Sequence, residues 1–207
     1  MNILLTSTAY FPPVTYLAEC LAADRVVTEL HETYPKQTCR NHCEIAGPNG
    51  RQKLTVPVIK PSGNRTKTLE ILISYDLPWQ KAHLRSITTA YNKSPFLLFY
   101  MDHFLPLFEK KHELLAELNR EILERTFRIL EITAGITFTE TYEKEPAGVK
   151  DLRTALVAKH RAAGPPLPSY TQPFSERYGF LENLSVLDLI FCLGPEAMTY
   201  LRSIPVS

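Results

Sequence analysis

The sequence predicts an α/β domain whose mixed sheet begins with a βαβ unit, continues through a hairpin, and is followed by a helix-rich C-terminal half. Three observations predict it. Two short apolar runs, residues 3–6 and 25–30, flank a helical pattern opened by Pro12 and Pro13. Gly-Pro-Asn-Gly at 47–50 separates two alternating segments, which is hairpin chemistry. From Pro78 onwards the apolar spacing is mostly three and four, the helical period.

Residues 3–6 form a buried strand. Pro12 and Pro13 suit a first helical turn, where a missing N–H would be unpaired anyway. The helix then carries Tyr16, Leu17, Cys20 and Leu21 before the second strand at 25–30. Strand, helix, strand in thirty residues implies two parallel strands and a layered α/β architecture. Residues 43–46 and 53–60 pair across the Gly-Pro-Asn-Gly turn. Pro57 cannot donate to a ladder, so it places the second of these strands at an edge or a bulge. Residues 61–68 are polar and basic and form an exposed loop. Residues 69–74 alternate and make another strand.

Pro78 opens a helix to about residue 92, with Trp79, His83, Ile87 and Tyr91 four apart on one face. Residues 96–104 make a short aromatic helix. The longest helix is expected over 106–132, with Leu115, Leu118, Ile122 and Ile129 as its buried stripe. Residues 136–141 alternate as a strand, and 151–160 favour a short helix. The run GPPLPS at 164–169 is an internal loop. Ser185-Val-Leu-Asp188 has the spacing of a capping box, opening a helix that stops at Gly194. A last short helix follows from Pro195.

The chain has 207 residues, 44% of them hydrophobic, enough for one sizeable core in a single domain. Charge is nearly balanced at a formal +1, so no global field recruits nucleic acid. The N-terminal sequence lacks the basic and apolar regions of an export signal, and no stretch reaches the roughly 18 apolar residues of a membrane span. The expected compartment is the cytoplasm, where the four cysteines stay reduced. There is no GxGxxG, P-loop, HExxH, GxSxG or CxxC pattern, and no cofactor is assigned.

The stretch 31–43, HETYPKQTCRNHC, concentrates the polar chemistry. A polar loop on a rigid scaffold is where binding and catalysis usually sit. The carboxyl ends of the first two strands are also where an open α/β sheet places a ligand, and both Tyr10 and this loop follow them. His31 and His42 are candidate proton-transfer groups, because histidine titrates near neutrality. Lys36 and Arg40 suit an anionic group, Arg40 through its planar fork. Asn41 suits substrate orientation. His83, beside Trp79, is either a histidine in an aromatic-walled pocket or a core histidine bonded to backbone. Tyr34 and Tyr91 complete the candidate set. Cys39, His42 and Cys43 have a spacing that zinc permits but does not require. The reading taken is no metal, with Cys43 a buried strand residue.

The segments TSTAYFPPVTYLA, ETYPKQTCRN, LTVPV, SYDLPWQKAHLRSITTAYNKSPF and YGFLENLSVLDLIFCLGPEA, in this order and spacing, resemble the WbqC-like protein family of bacteria. Members of that family occur among genes for O-antigen and other surface polysaccharides. The resemblance therefore implies a role in making or modifying a sugar, through acyl or aminoacyl transfer onto a sugar or nucleotide-sugar ligand. Its alternative is a non-catalytic module that assembles sugar-synthesis enzymes. Tyr34, Asn41, Trp79, His83, Tyr91 and Pro95 match the family's pattern. Thr8-Ala-Tyr10, His31 and His42 depart from it.

Overall fold

The computed structural model describes residues 1–35, 38–154 and 166–206. Its central sheet has four strands, all parallel. They are β1 (Ile3–Ser7), β2 (Arg25–Glu29), β7 (Gly135–Phe138) and β8 (Lys150–Asp151), in the order β7-β2-β1-β8. Helix α1 (Val14–Leu21) joins β1 to β2 and buries Val14, Leu17, Ala18 and Cys20. The expected βαβ start is therefore present, with the hairpin and the helix-rich second half.

The hairpin, however, does not extend the sheet. Strands β3 (His42–Gly47) and β4 (Gly50–Thr55) form an antiparallel ribbon of their own, as do β5 (Val58–Ile59) and β6 (Leu72–Ile73). The edges of the parallel sheet are taken by β7 and β8, which come from far along the chain. Pro57 divides the expected second hairpin strand into β4 and β5. Ahead of it, the Val56 N–H extends the hairpin register by one more pair, donating to the Asn41 carbonyl at 2.8 Å.

Helix α2 (Trp79–Tyr91) runs as expected. The long helix expected over 106–132 is instead two. Helix α3 (Leu97–Glu109) absorbs the aromatic segment and passes through Pro106, and α4 (Leu115–Ile129) starts afresh. Backbone pairing with β6 explains the break. The Ile73 N–H donates to the Glu113 carbonyl at 2.9 Å and the Leu115 N–H to the Ile71 carbonyl at 2.9 Å. That pairing holds Leu114 extended, and the Glu117 carboxylate caps the new helix by accepting the Leu114 N–H. Helix α5 (Ser175–Tyr178) precedes α6 (Val186–Leu193) and α7 (Ala197–Ser203). The short helix expected at 151–160 and part of the loop at 164–169 lie outside the described residues.

Helix α6 is buried along nearly its whole length and packs against α1, α3, α7 and β3. Its start is sewn to both ends of the N-terminal half. Val14 N–H donates to the Leu184 carbonyl at 3.1 Å, Val186 N–H to the Pro12 carbonyl at 2.8 Å, and Ser185 N–H to the Glu44 carbonyl at 2.8 Å. The Ser185 hydroxyl caps α6 by accepting the Leu187 N–H. Asp188 does not complete the expected box. It is fully buried and accepts from the Tyr91 hydroxyl at 2.9 Å, the Tyr170 hydroxyl at 2.6 Å and the Gln172 amide at 2.7 Å. Among the described residues, no helix is long and apolar enough to cross a membrane.

Candidate functional site

Strands β1 and β2 end on Ser7 and Glu29, which are register partners. Alternation along each strand puts both side chains on one face, and both are fully buried. Strand order reverses direction between β1 and β8, so the carboxyl ends there form the crevice where an open α/β sheet takes a ligand. Arg153, two residues beyond β8, reaches back into it. Its guanidinium forks onto Asp151, at 3.0 and 2.6 Å, and faces Glu29 Oε2 at 3.3 Å. Burial pushes the Asp151 carboxyl up, but the hydrogen bonds and charge of Arg153 outweigh it and hold the group below its ordinary range. Glu29 Oε1 accepts the His31 backbone N–H at 2.6 Å and the Thr139 hydroxyl at 3.0 Å.

A second ion pair lies beside the first. Arg40 is only 1% exposed. It donates to Glu32 Oε1 from Nε at 3.0 Å and from Nη2 at 2.5 Å, and to the Ser7 hydroxyl. The Ser7 hydroxyl donates in turn towards Glu32 Oε1 at 3.2 Å. The Asn119 amide of α4 accounts for the Arg40 carbonyl at 2.7 Å. Desolvating two arginine–carboxylate pairs costs several kcal/mol per ion, so their net gain in stability is small. What they do is hold charged groups in fixed geometry at the sheet's carboxyl edge.

The other candidates from the sequence divide into groups. Tyr10, Trp79 and His83 come together beneath the loop. The Tyr10 hydroxyl meets His83 Nδ1 at 2.9 Å, and the Trp79 ring lies edge-on to both. Phe11 holds a φ of +40°, costly for a bulky residue, and so turns the chain sharply after Tyr10. All three rings are buried, and burial lowers the His83 pKa to about 4. His42 stands on β3 opposite Thr55, also buried. Its pKa is lowered by burial first and then by Lys53. The Asn41 amide donates to the Val56 carbonyl at 3.0 Å. His31 is half-buried beside Glu29. Tyr91 stands apart, between Asp188 and the Ala46 N–H of β3. Lys36 lies outside the described residues.

The sequence reading singled out neither Ser7 and Glu29 nor Asp151 and Arg153. The first two carried a partial signal, each lying within one residue of the end of an expected strand, 3–6 or 25–30. Arg153 carried none, because it meets Glu29 from 124 residues away. Among the described residues, no three His, Cys, Asp or Glu side chains gather as a metal would need. All four cysteines are free thiols whose pKa values burial raises. A groove of about 480 Å³ along α4 includes none of these site residues. There His112, Arg125 and Lys110 overcome the effect of burial and hold the Glu121 carboxyl down at about 2.

Comparison with known proteins agrees with the family resemblance. The model of the WbqC-like protein family matches residues 8–165, and the chain belongs to that family. A protein of Mycobacterium tuberculosis (strain ATCC 25618 / H37Rv), described as uncharacterized protein Rv1507c, is 28% identical over 220 residues, covering 93% of this chain and 91% of its own. No solved structure matches significantly.

Proposed function

We propose that this protein acts in the making or modification of a surface-polysaccharide sugar in the cytoplasm, transferring an acyl or aminoacyl group to or from a nucleotide-activated sugar. The observation that carries the reading is the pair of buried arginine–carboxylate contacts at the carboxyl edge of the parallel sheet, an expensive arrangement placed where this architecture binds ligands. His31, half-buried at that edge, takes the proton from the attacking amine or hydroxyl, with His42 and His83 as the other histidines to test. Arg40 and Lys36 serve an anionic group of the substrate, and Asn41 orients it. Tyr34 lies beside the site and Tyr10 and Trp79 support it from within, whereas Tyr91 stands apart between Asp188 and the hairpin.

The test is a thermal-shift panel of nucleotide sugars, acyl-CoA and nucleotides, followed by single alanine substitutions of His31, His42 and His83 in the assay the panel defines. Loss of activity at His31 with the fold retained supports the assignment. Full activity in all three variants removes it.

A specific feature favours a second reading, a module that assembles sugar-synthesis enzymes. Leu98 and Phe99 on α3 are 87% and 72% exposed, although Leu97, Phe104, Leu107 and Phe108 of the same helix are buried. A flat ligand panel, with a partner enzyme whose binding is lost on Phe99→Glu, would select this reading.

A further inference from the structure

Arg40 has an edge that no described residue uses. The guanidinium spends Nε and Nη2 on Glu32 and Ser7, so by its planar geometry Nη1 points away from Glu32. Nη1 is buried and has no hydrogen-bond partner among the described residues. The same is true of the Tyr34 hydroxyl, within electrostatic reach of Arg40, and of the Thr38 and Thr68 hydroxyls. Thr38 is two residues from Arg40, and the Thr68 N–H donates to the carbonyl of Glu32, Arg40's own partner. Above the Tyr34 ring, the Lys60 ammonium stands 4.8 Å from the centroid.

Each buried donor without an acceptor costs about 1–3 kcal/mol, and more when charged. A guanidinium N–H can only donate, and the hydroxyls are free to donate. Unpartnered donors beside the Arg40 guanidinium, with the Lys60 charge close by, suit an acceptor-rich, negatively charged partner.

We propose that Arg40 Nη1 and the Tyr34 hydroxyl form a subsite for an oxyanion of the ligand, a carboxylate or a phosphate, with Lys60 adding positive charge at its rim. The subsite deepens the transferase reading, since an acyl donor or an activated sugar carries such groups. Its existence can be tested without that reading.

The experiment titrates the full chain with inorganic phosphate, pyrophosphate and acetate at constant ionic strength, following Tm and calorimetric binding. The variants are Tyr34→Phe and Lys60→Met. Wild-type protein is expected to show saturable stabilisation by phosphate or by acetate, and whichever acts identifies the source of the oxyanion. Tyr34→Phe is expected to weaken that binding about tenfold, the loss of roughly one charge-assisted hydrogen bond. Without anion it should be as stable as wild type or more so, because it removes a buried hydroxyl that has no partner. Lys60→Met, a change at the rim, should weaken binding several-fold. The proposal is overturned by no saturable anion binding, by binding that both variants leave unchanged (an adventitious ion only), or by a Tyr34→Phe protein that is clearly destabilised in the absence of anion. Anion binding with no response to any nucleotide sugar or acyl-CoA would count against the transferase reading alone. Transfer activity with no anion binding at Tyr34 would count against the subsite alone.

Discussion

The Tyr10 hydroxyl and His83 Nδ1 stand 2.9 Å apart inside the core, joining the turn after the first strand to the middle of α2. The pair satisfies two polar groups that would otherwise be buried alone. Tyr10→Phe leaves the imidazole nitrogen without its partner and should cost about 1–2 kcal/mol. Urea unfolding of the two proteins at pH 7 measures it. A change under 0.3 kcal/mol would mean that water replaces the hydroxyl.

Burial keeps His83 neutral, with its pKa lowered to about 4, whereas the unfolded chain binds that proton near 6.5. A base whose folded pKa is depressed loses stability as pH falls. The loss begins near pH 6.5, reaches on the order of 3 kcal/mol by pH 4, and levels off below. His42, shifted in the same direction, adds to it. Stability measured at pH 7, 5.5 and 4 should fall along this course. A His83→Gln protein should fall less steeply over the same interval.

Arg40 and Glu32 depend on each other. Removing the guanidinium alone leaves a carboxylate in a largely buried setting, so Arg40→Ala should destabilise by about 3–5 kcal/mol. Arg40→Met combined with Glu32→Leu should cost less than the two single changes added together, because no charge is then stranded. A double-mutant cycle gives the coupling directly. Additive costs would show that the pair is independent.

Asp188 behaves oppositely to His83. Burial raises its pKa despite three donors, so the folded state takes up this proton at a higher pH than the unfolded chain does. Its ionised form is a cost at neutral pH, and stability is gained as pH falls through the raised value. Asp188→Asn should abolish that gain. Asp188→Ala, which strands Tyr91, Tyr170 and Gln172, should cost about 3 kcal/mol at pH 7. Equal pH profiles for wild type and Asp188→Asn would contradict the assignment.

These residues also show what the sequence could and could not reveal. The first strand, the proline-opened helix and the Gly-Pro-Asn-Gly turn follow from local chemistry and stand where they were expected, although the hairpin's second strand covers 50–55 rather than 53–60. The break between α3 and α4 does not, because it is imposed by residues 113–115 pairing with residues 71–73, an association that helical periodicity carries no trace of. The site divides the same way. Arg40 announces itself in a polar stretch, and Ser7 and Glu29 are strand ends. Arg153 and the three donors on Asp188 are brought in by the fold. The acidic residue of Ser185-Val-Leu-Asp188 has capping-box spacing and yet faces inwards, because the helix it opens is surrounded on every side.

The backbone seam between residues 12–14 and 184–186 bears on how the protein is made. A ribosome releases the first strand and helix long before the segment that closes over them. Until α6 and α7 emerge, the face of α1 that packs against them has no lasting cover. Contacts so distant along the chain make folding slow and leave the nascent protein exposed to aggregation. This protein therefore completes its core only once residues 184–186 have been made, and a chain stalled before residue 184 would be a substrate for chaperones and proteases rather than a partly working molecule.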